Sequence, residues 1–230
     1  MQELLNRNRD VDQIIKRNIV SLRVSENLFD DLSDGDDELS QLAMELERSI
    51  KSNIPININE RAFHYTTAIE YPFTHEPYLS TRFGNGTYPV WYGSINLETT
   101  IYETAFHMVR SESQIEGINE IIYRERAVYD VHCHALLVDL IGKEEKFPQL
   151  ITNDYDFTQQ IANRLHKEGH PGLVAPSARY KSGDNFVVFR KAMLSDSRLN
   201  CYLGYAYDPQ TKSVRVEREP GVELMVVNFE

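Results

Sequence analysis

Two cysteines, Cys133 and Cys201, are all that the 230 residues contain, too few for a disulfide framework or a zinc ribbon. No apolar run approaches the roughly 18 residues of a spanning helix. The opening stretch MQELLNRNRDVDQIIKRN is broken by charge every few residues, so it is not expected to act as a signal peptide. Positive charge is also short: 24 Lys+Arg stand against 35 Asp+Glu, a formal net charge of −11. Gripping a nucleic-acid backbone requires clustered Lys and Arg, so neither nucleic acid nor an anionic membrane surface is expected as a direct partner. Missing too are a Gly-rich phosphate loop, a dinucleotide fingerprint, a Gly-x-Ser-x-Gly elbow and a His-Glu-x-x-His pair. Gly84-Asn85-Gly86 reads as a turn before a strand. What remains is an acidic chain, 41% apolar, with enough apolar material for a real core and an expected place in the cytoplasm.

The first sixty residues carry almost no aromatics, and residues 30–38 (DDLSDGDDE) hold six acids in nine positions. Such a block repels itself and cannot offset the cost of ordering by burial, so it reads as a linker. On either side, Leu4, Leu5, Val11, Ile14 and Ile15, then Leu39, Leu42, Ala43, Leu46 and Ile50, suggest helices with an apolar stripe. Residues 1–55 are therefore expected to form an N-terminal helical extension with an acidic linker, and residues 56–230 the main domain.

Beyond Ile56 the texture changes and aromatics become dense. Val90-Trp91-Tyr92-Gly93 reads as a short strand, and Asn96 offers an N-cap to LETTIYETAFHMVR, with Ile101, Ala105, Met108 and Val109 on one face. In VYDVHCHALLV, Tyr129, Val131, Cys133, Ala135 and Leu137 alternate with Asp130, His132 and His134, the signature of a half-buried strand. A helix is expected at about 155–168, closed by Gly169. Short apolar runs at 173–175, 186–189, 202–207, 213–217 and 222–229 supply further strands. Strands cluster late without regular alternation with helices, so the expected class is α+β.

Two sets of residues invite chemistry. His132 and His134 share a strand face, as paired zinc ligands can, with His107 or His64 as a third ligand; the polar face of a half-exposed strand is the commoner reason for such a pair. The stretch 61–107 is more informative: Arg82, Tyr92 and Glu103 follow within about twenty residues, and Glu103 shares a helix face with Thr99 and His107. Tyr65, Tyr88, Trp91 and Tyr92 are available to wall a pocket around that carboxylate.

Arg82 stands ten residues before Tyr92 and Glu103 eleven after it, and GLVAPSARYKSGDNFVVF follows at 172–189. This order resembles the RES domain, the toxin half of bacterial pairs whose antitoxin is an Xre-type DNA-binding protein. The resemblance covers roughly residues 60–190 and implies an ADP-ribosyltransferase-like α+β core around an activity that consumes NAD⁺. It implies cleavage of the nicotinamide–ribose bond by phosphorolysis or hydrolysis, with NAD⁺ as substrate, inorganic phosphate as an optional co-substrate, and neither metal nor resident cofactor. The implied catalytic residues are Arg82, Glu103 and Ser177; the implied substrate-binding residues are His64, Tyr65, Tyr92, Arg179 and Asn185. A homo-oligomer, silenced when an Xre-type antitoxin covers the pocket, is implied as well. The family's arginine usually sits in Gly-Arg-Trp-Asn, where this chain has Thr81-Arg82-Phe83-Gly84. An earlier Arg-Tyr pair is replaced by His64-Tyr65, with Arg61 as the alternative cation, and Thr158 is the alternative to Ser177 as the functional hydroxyl. Two other readings stand beside this one: an ADP-ribosyltransferase that modifies a macromolecule, and a metal-dependent hydrolase built on His132 and His134.

Overall fold

A computed structural model describes residues 3–21, 66–74, 76–115, 117 and 119–229. The expected acidic linker at 30–38, the apolar stripe at 39–50, and Arg61, His64 and Tyr65 lie outside the described residues, as does the boundary at 55/56. Within them the molecule is α+β. Its strands are β1 (Asn8–Val20), β2 (Ser80–Thr81), β3 (Gly84–Asn85), β4 (Trp91–Gly93), β5 (Ile122–Asp139), β6 (Gly172–Pro176), β7 (Asp184–Val188), β8 (Leu194–Asp208), β9 (Ser213–Glu219) and β10 (Val222–Asn228). The helices are α1 (Tyr71–Thr74), which continues a π-helical turn, α2 (Leu97–Glu112) and α3 (Asp156–Lys167). Asn96 adopts the extended conformation of an N-cap before α2, and Gly169 follows α3 at φ +86°, a conformation that glycine takes without steric cost.

One expectation fails at the N-terminus. Residues 8–20 are not helical: β1 pairs antiparallel with β5 along its whole length, from Asn8↔Val138 to Val20↔Arg126. The physical reason lies in the spacing. Val11 and Ile15 are both buried, and a separation of four residues returns to the same face in a helix and in a strand alike. Ile14 breaks the tie, being 48% exposed beside fully buried Ile15, as strand alternation requires. This segment is thus part of the main sheet and not a helical extension. Buried Asp139 anchors its start, accepting Arg7 Nε at 3.0 Å and Arg9 Nε at 3.3 Å, while Arg9 Nη1 reaches Asp184 at 3.3 Å.

The sheet runs β10-β9-β8-β5-β6-β7-β4, with β1 on the other edge of β5. Along the first edge, β8 pairs with β5 as far as Cys133, and β6 joins in parallel only at Val138 and Asp139, so the sheet forks there. The branch through β6, β7 and β4 curls back to β1, where Lys16 and Ser94 exchange backbone hydrogen bonds of 2.7 and 3.0 Å. The closed ring encloses Val11, Ile15, Trp91, Val131, Cys133 and Phe186. α2 lays Ile101, Ala105 and Met108 against Val128, Leu203 and Tyr205, and α3 lays Ile161, Ala162 and Leu165 against Leu173, Ala175 and Val187. Burying each of the Ile, Leu, Val and Met side chains among these contributes about 1.5–3 kcal/mol, enough to fix both helices relative to the fork.

Candidate active site

Beyond the Lys16–Ser94 bridge, β1 and β4 part. A cleft of about 250 Å³ opens between them, lined by Arg17 and Asn18 from β1, Tyr92 from β4, Glu103 from α2, Arg126 from β5 and Asn185 from β7. Glu103 is the only carboxylate among the described lining residues.

Its setting is built by the turn after β6. Ser177 N donates to Gly183 O at 2.7 Å, and Gly183 N donates to Tyr180 O at 2.9 Å. Inside that turn the Ser177 hydroxyl accepts from Arg179 N at 3.1 Å and Tyr180 N at 3.0 Å. It donates in turn to Glu103 Oε1 at 2.6 Å, and Asn185 Nδ2 donates to the same oxygen at 2.7 Å. Both donors converge on one carboxylate oxygen, leaving Oε2 without a partner among the described residues. Two aromatic contacts lock the turn onto α2: Tyr180 stacks on Tyr102 with centroids 4.9 Å apart, and the Arg179 guanidinium lies 3.4 Å from the Phe106 ring centroid. Gly183 permits this approach, since a Cβ there would fall 2.3 Å from Thr99 Oγ1.

Arg82 is 8% exposed, and its Nη1 donates to Leu150 O at 3.2 Å and Thr152 O at 2.6 Å. Its guanidinium lies 4.7 Å from the Tyr155 ring centroid, and Nη2 is buried without a hydrogen-bond partner among the described residues. Burial first lowers its pKa and the Tyr155 hydroxyl opposes that; Arg179 adds repulsion and Glu103 attraction. The charges of Arg179 and Glu103 therefore both reach Arg82. Arg179 Nε and Nη2 are also buried without a hydrogen-bond partner among the described residues. Unspent guanidinium donors beside a carboxylate are what an anionic ligand would satisfy.

The Tyr92 hydroxyl is held at 2.8 Å from Thr81 Oγ1 and accepts from Phe83 N at 2.9 Å, and burial pushes its pKa up. Its hydroxyl is thus tied to the segment carrying Arg82, while the residue itself lines the cleft. Two expected pocket walls are elsewhere. Trp91 is fully buried inside the ring with Nε1 donating to Ala68 O at 2.8 Å, and Tyr88 packs under α3, stacked on His166 at 4.2 Å. Strand alternation sends Trp91 and Tyr92 to opposite faces. Thr158 is buried in α3 and donates to Tyr155 O at 3.0 Å, whereas Ser177 is the hydroxyl that touches Glu103.

His132 Nε2 lies 2.7 Å from Asp12 Oδ1, and Nδ1 lies 3.3 Å from Ser195 Oγ, all in cross-strand positions of β1, β5 and β8. His107 is exposed on α2, edge-on to Phe106. Among the described residues no group of three or more His, Cys, Asp or Glu side chains is placed to hold a metal ion. Sequence reasoning missed Arg17, Asn18 and Arg126 altogether. The signal was ambiguous, because Val11, Ile15 and Ile19 recur every four residues, which suits a helix and a strand alike, and only the strand puts Arg17 on their face.

The RES domain family model matches residues 56–208. The chain belongs to the RES domain family. Among solved structures it is similar to a chain of the M. tuberculosis MbcT–MbcA toxin–antitoxin complex, with 10% identity, a TM-score of 0.47 and 86% of each chain covered. No curated protein matches. The RES segment contributes Arg82, Tyr92, Glu103, Arg126, Ser177, Arg179 and Asn185 to this region, while Arg17 and Asn18 come from outside it. No helix of the described residues is long and apolar enough to cross a membrane.

Proposed function

We propose that this RES domain protein cleaves the bond between nicotinamide and ribose in NAD⁺, and that it acts in the cytoplasm as the toxin of a toxin–antitoxin pair. The observation that carries the reading is the carboxylate of Glu103, lining the cleft and fixed through one oxygen by Ser177 and Asn185, with its charge reaching the buried guanidinium of Arg82. When the glycosidic bond breaks, its electron pair leaves with neutral nicotinamide, and positive charge builds on the ribosyl carbon. An oriented carboxylate stabilises that charge or holds the ribose hydroxyls, as carboxylates do in glycoside cleavage. An oxygen of water or of inorganic phosphate then bonds to the same carbon. Arg82 and Arg179 suit the diphosphate, because a guanidinium presents a planar fork to a phosphoryl group. The ring of Tyr92 suits a flat heterocycle. Family membership supports this substrate class, and an antitoxin that covers the cleft would silence it. The domain boundary proposed at residue 56 follows the RES segment, although the sheet it belongs to also takes in β1.

Purified protein incubated with NAD⁺ is expected to release nicotinamide, and Glu103→Gln and Arg82→Ala are expected to lower the rate by at least a hundredfold, about 2.7 kcal/mol of transition-state stabilisation. Mass analysis of the second product separates phosphorolysis from hydrolysis. Intact NAD⁺ after prolonged incubation with the wild-type protein refutes the reading.

A further inference from the structure

The cleft holds a second group of cations that the catalytic reading does not use. Arg17 projects from β1, outside the RES segment, and Arg126 from β5 where the two strands pair at Val20↔Arg126. Both line the same cleft as Glu103. Neither takes part in an ion pair among the described residues, in contrast to Lys16 on the same strand, which lies 2.8 Å from Asp130. Arg17 Nη1 donates to Tyr92 O at 2.8 Å, and its guanidinium lies 5.2 Å from the Trp91 ring centroid. Its Nε is buried without a hydrogen-bond partner among the described residues. Arg126 spends Nε and Nη2 on Asn18, at 3.0 Å to Oδ1 and 3.2 Å to O, which fixes its plane.

Two partly buried guanidinium groups at one cleft, with no carboxylate of their own, form a repulsive arrangement. Burial and then the charge of Arg126 bring the Arg17 pKa down to about 10, so both remain cationic at neutral pH. An arrangement that costs stability in this way, and leaves a buried donor unspent, is relieved by a bound anion. Glu103, the one carboxylate among the described lining residues, gives Oε1 to Ser177 and Asn185 and makes no ion pair with either arginine among the described residues. Arg82 and Arg179 stand apart from this pair: neither is among the lining residues of the cleft, and Arg82 is turned to Leu150 O and Thr152 O.

We propose that Arg17 and Arg126 form a second phosphoryl-binding subsite in the cleft, distinct from Arg82 and Arg179 and completed by a strand that the RES segment does not contain. This rests on the proposed NAD⁺-cleaving function only for the identity of the anion, which is either inorganic phosphate attacking the ribose or a phosphoryl group of the dinucleotide itself. The chemistry is shared: a tetrahedral oxyanion held by planar forks.

The test is equilibrium binding, by calorimetry, of inorganic phosphate and of ADP as separate probes to the full chain. Wild-type protein is compared with Arg17→Gln, Arg17→Lys and, as a control for charge removal, Arg124→Gln, whose guanidinium is paired with Glu112 at 2.9 Å. Arg17→Gln is expected to weaken at least one probe about tenfold, Arg17→Lys to weaken it less, and Arg124→Gln to leave it unchanged. Loss confined to inorganic phosphate assigns the subsite to the attacking ion, and loss confined to ADP assigns it to the dinucleotide. Binding of neither probe by the wild type, or equal binding by wild type and Arg17→Gln, overturns the subsite. Because no turnover is needed, Arg17-dependent binding without nicotinamide release would leave the subsite standing while the proposed activity fails; release with Arg17-independent binding would do the reverse.

Discussion

At the scale of the residue, the decisive group is a hydroxyl with several simultaneous bonds. Ser177 accepts two backbone N–H groups from its own turn and donates its one proton to Glu103. A donor fixed in this way has no freedom to swing out, so Glu103 is oriented before any ligand arrives. Ser177 is thus a positioning residue for the carboxylate. Ser177→Ala removes one of two donors on Oε1 and leaves Asn185 in place. It is expected to lower the rate of nicotinamide release by about tenfold to a hundredfold, as misplacement of a reacting group does. The Ser177→Thr variant, which keeps the donor, is expected to recover part of the loss, as read from kcat with the KM for NAD⁺ measured alongside.

At the scale of the element, the turn after β6 and the helix α2 work as one unit, and a glycine makes that possible. Any side chain at 183 meets Thr99, whose Oγ1, Cγ2 and Cβ all lie within about 3.0 Å of the Cβ position. Thr99 is fully buried, with no hydrogen-bond partner for its hydroxyl among the described residues, and close packing leaves it little room to turn away. Gly183→Ala is expected to destabilise the protein by about 1–3 kcal/mol through overpacking, and to lift Ser177 from Glu103. Thr99→Ala in the same chain should restore part of both stability and activity, a coupling that a double-mutant cycle in urea denaturation measures. The N-terminal strand has its own anchor in Asp139, where Arg7 and Arg9 meet. Asp139→Asn is expected to cost roughly 1.5–3 kcal/mol, the value of a hydrogen bond to a charged group, seen as a lower denaturation midpoint.

At the scale of the whole molecule, burial holds α3 on the sheet, and partly buried His166, stacked on Tyr88 and edge-on to Phe189, reports on that packing. Burial and then Arg190 hold the His166 imidazole below its ordinary pKa, so the unfolded chain binds its proton more readily than the folded one. Stability attributable to His166 is therefore lost as pH falls through about 6.5, and regained as pH rises. His166→Phe keeps an aromatic partner for Tyr88 and removes the titration. The midpoint of urea unfolding in this variant is expected to rise less steeply between about pH 5 and 7 than in the wild type; parallel curves would refute it.

How much of this was legible depends on whether a pattern has one reading or two. α2, α3 and β5 could be read directly, because an Asn before a helical stripe, a Gly after one and the Tyr129-to-Leu137 alternation each mark one kind of element. The order Arg82, Tyr92, Glu103, Ser177 was legible as a family pattern, and the chain's sequence fixes those side chains wherever it folds. The sequence determined which groups are present, which are apolar, and the local period of the long elements. Only the tertiary structure decided that residues 8–20 form a strand, because Val11 and Ile15 satisfy both periods and the choice falls to the partner strand β5. It also decided that Trp91 and Tyr88 are core, and that Arg17, remote in the chain, joins Arg126 and Glu103 at one cleft. Local spacing records what a residue's neighbours in the chain allow; pairing across more than a hundred residues is set by which surfaces exclude water together.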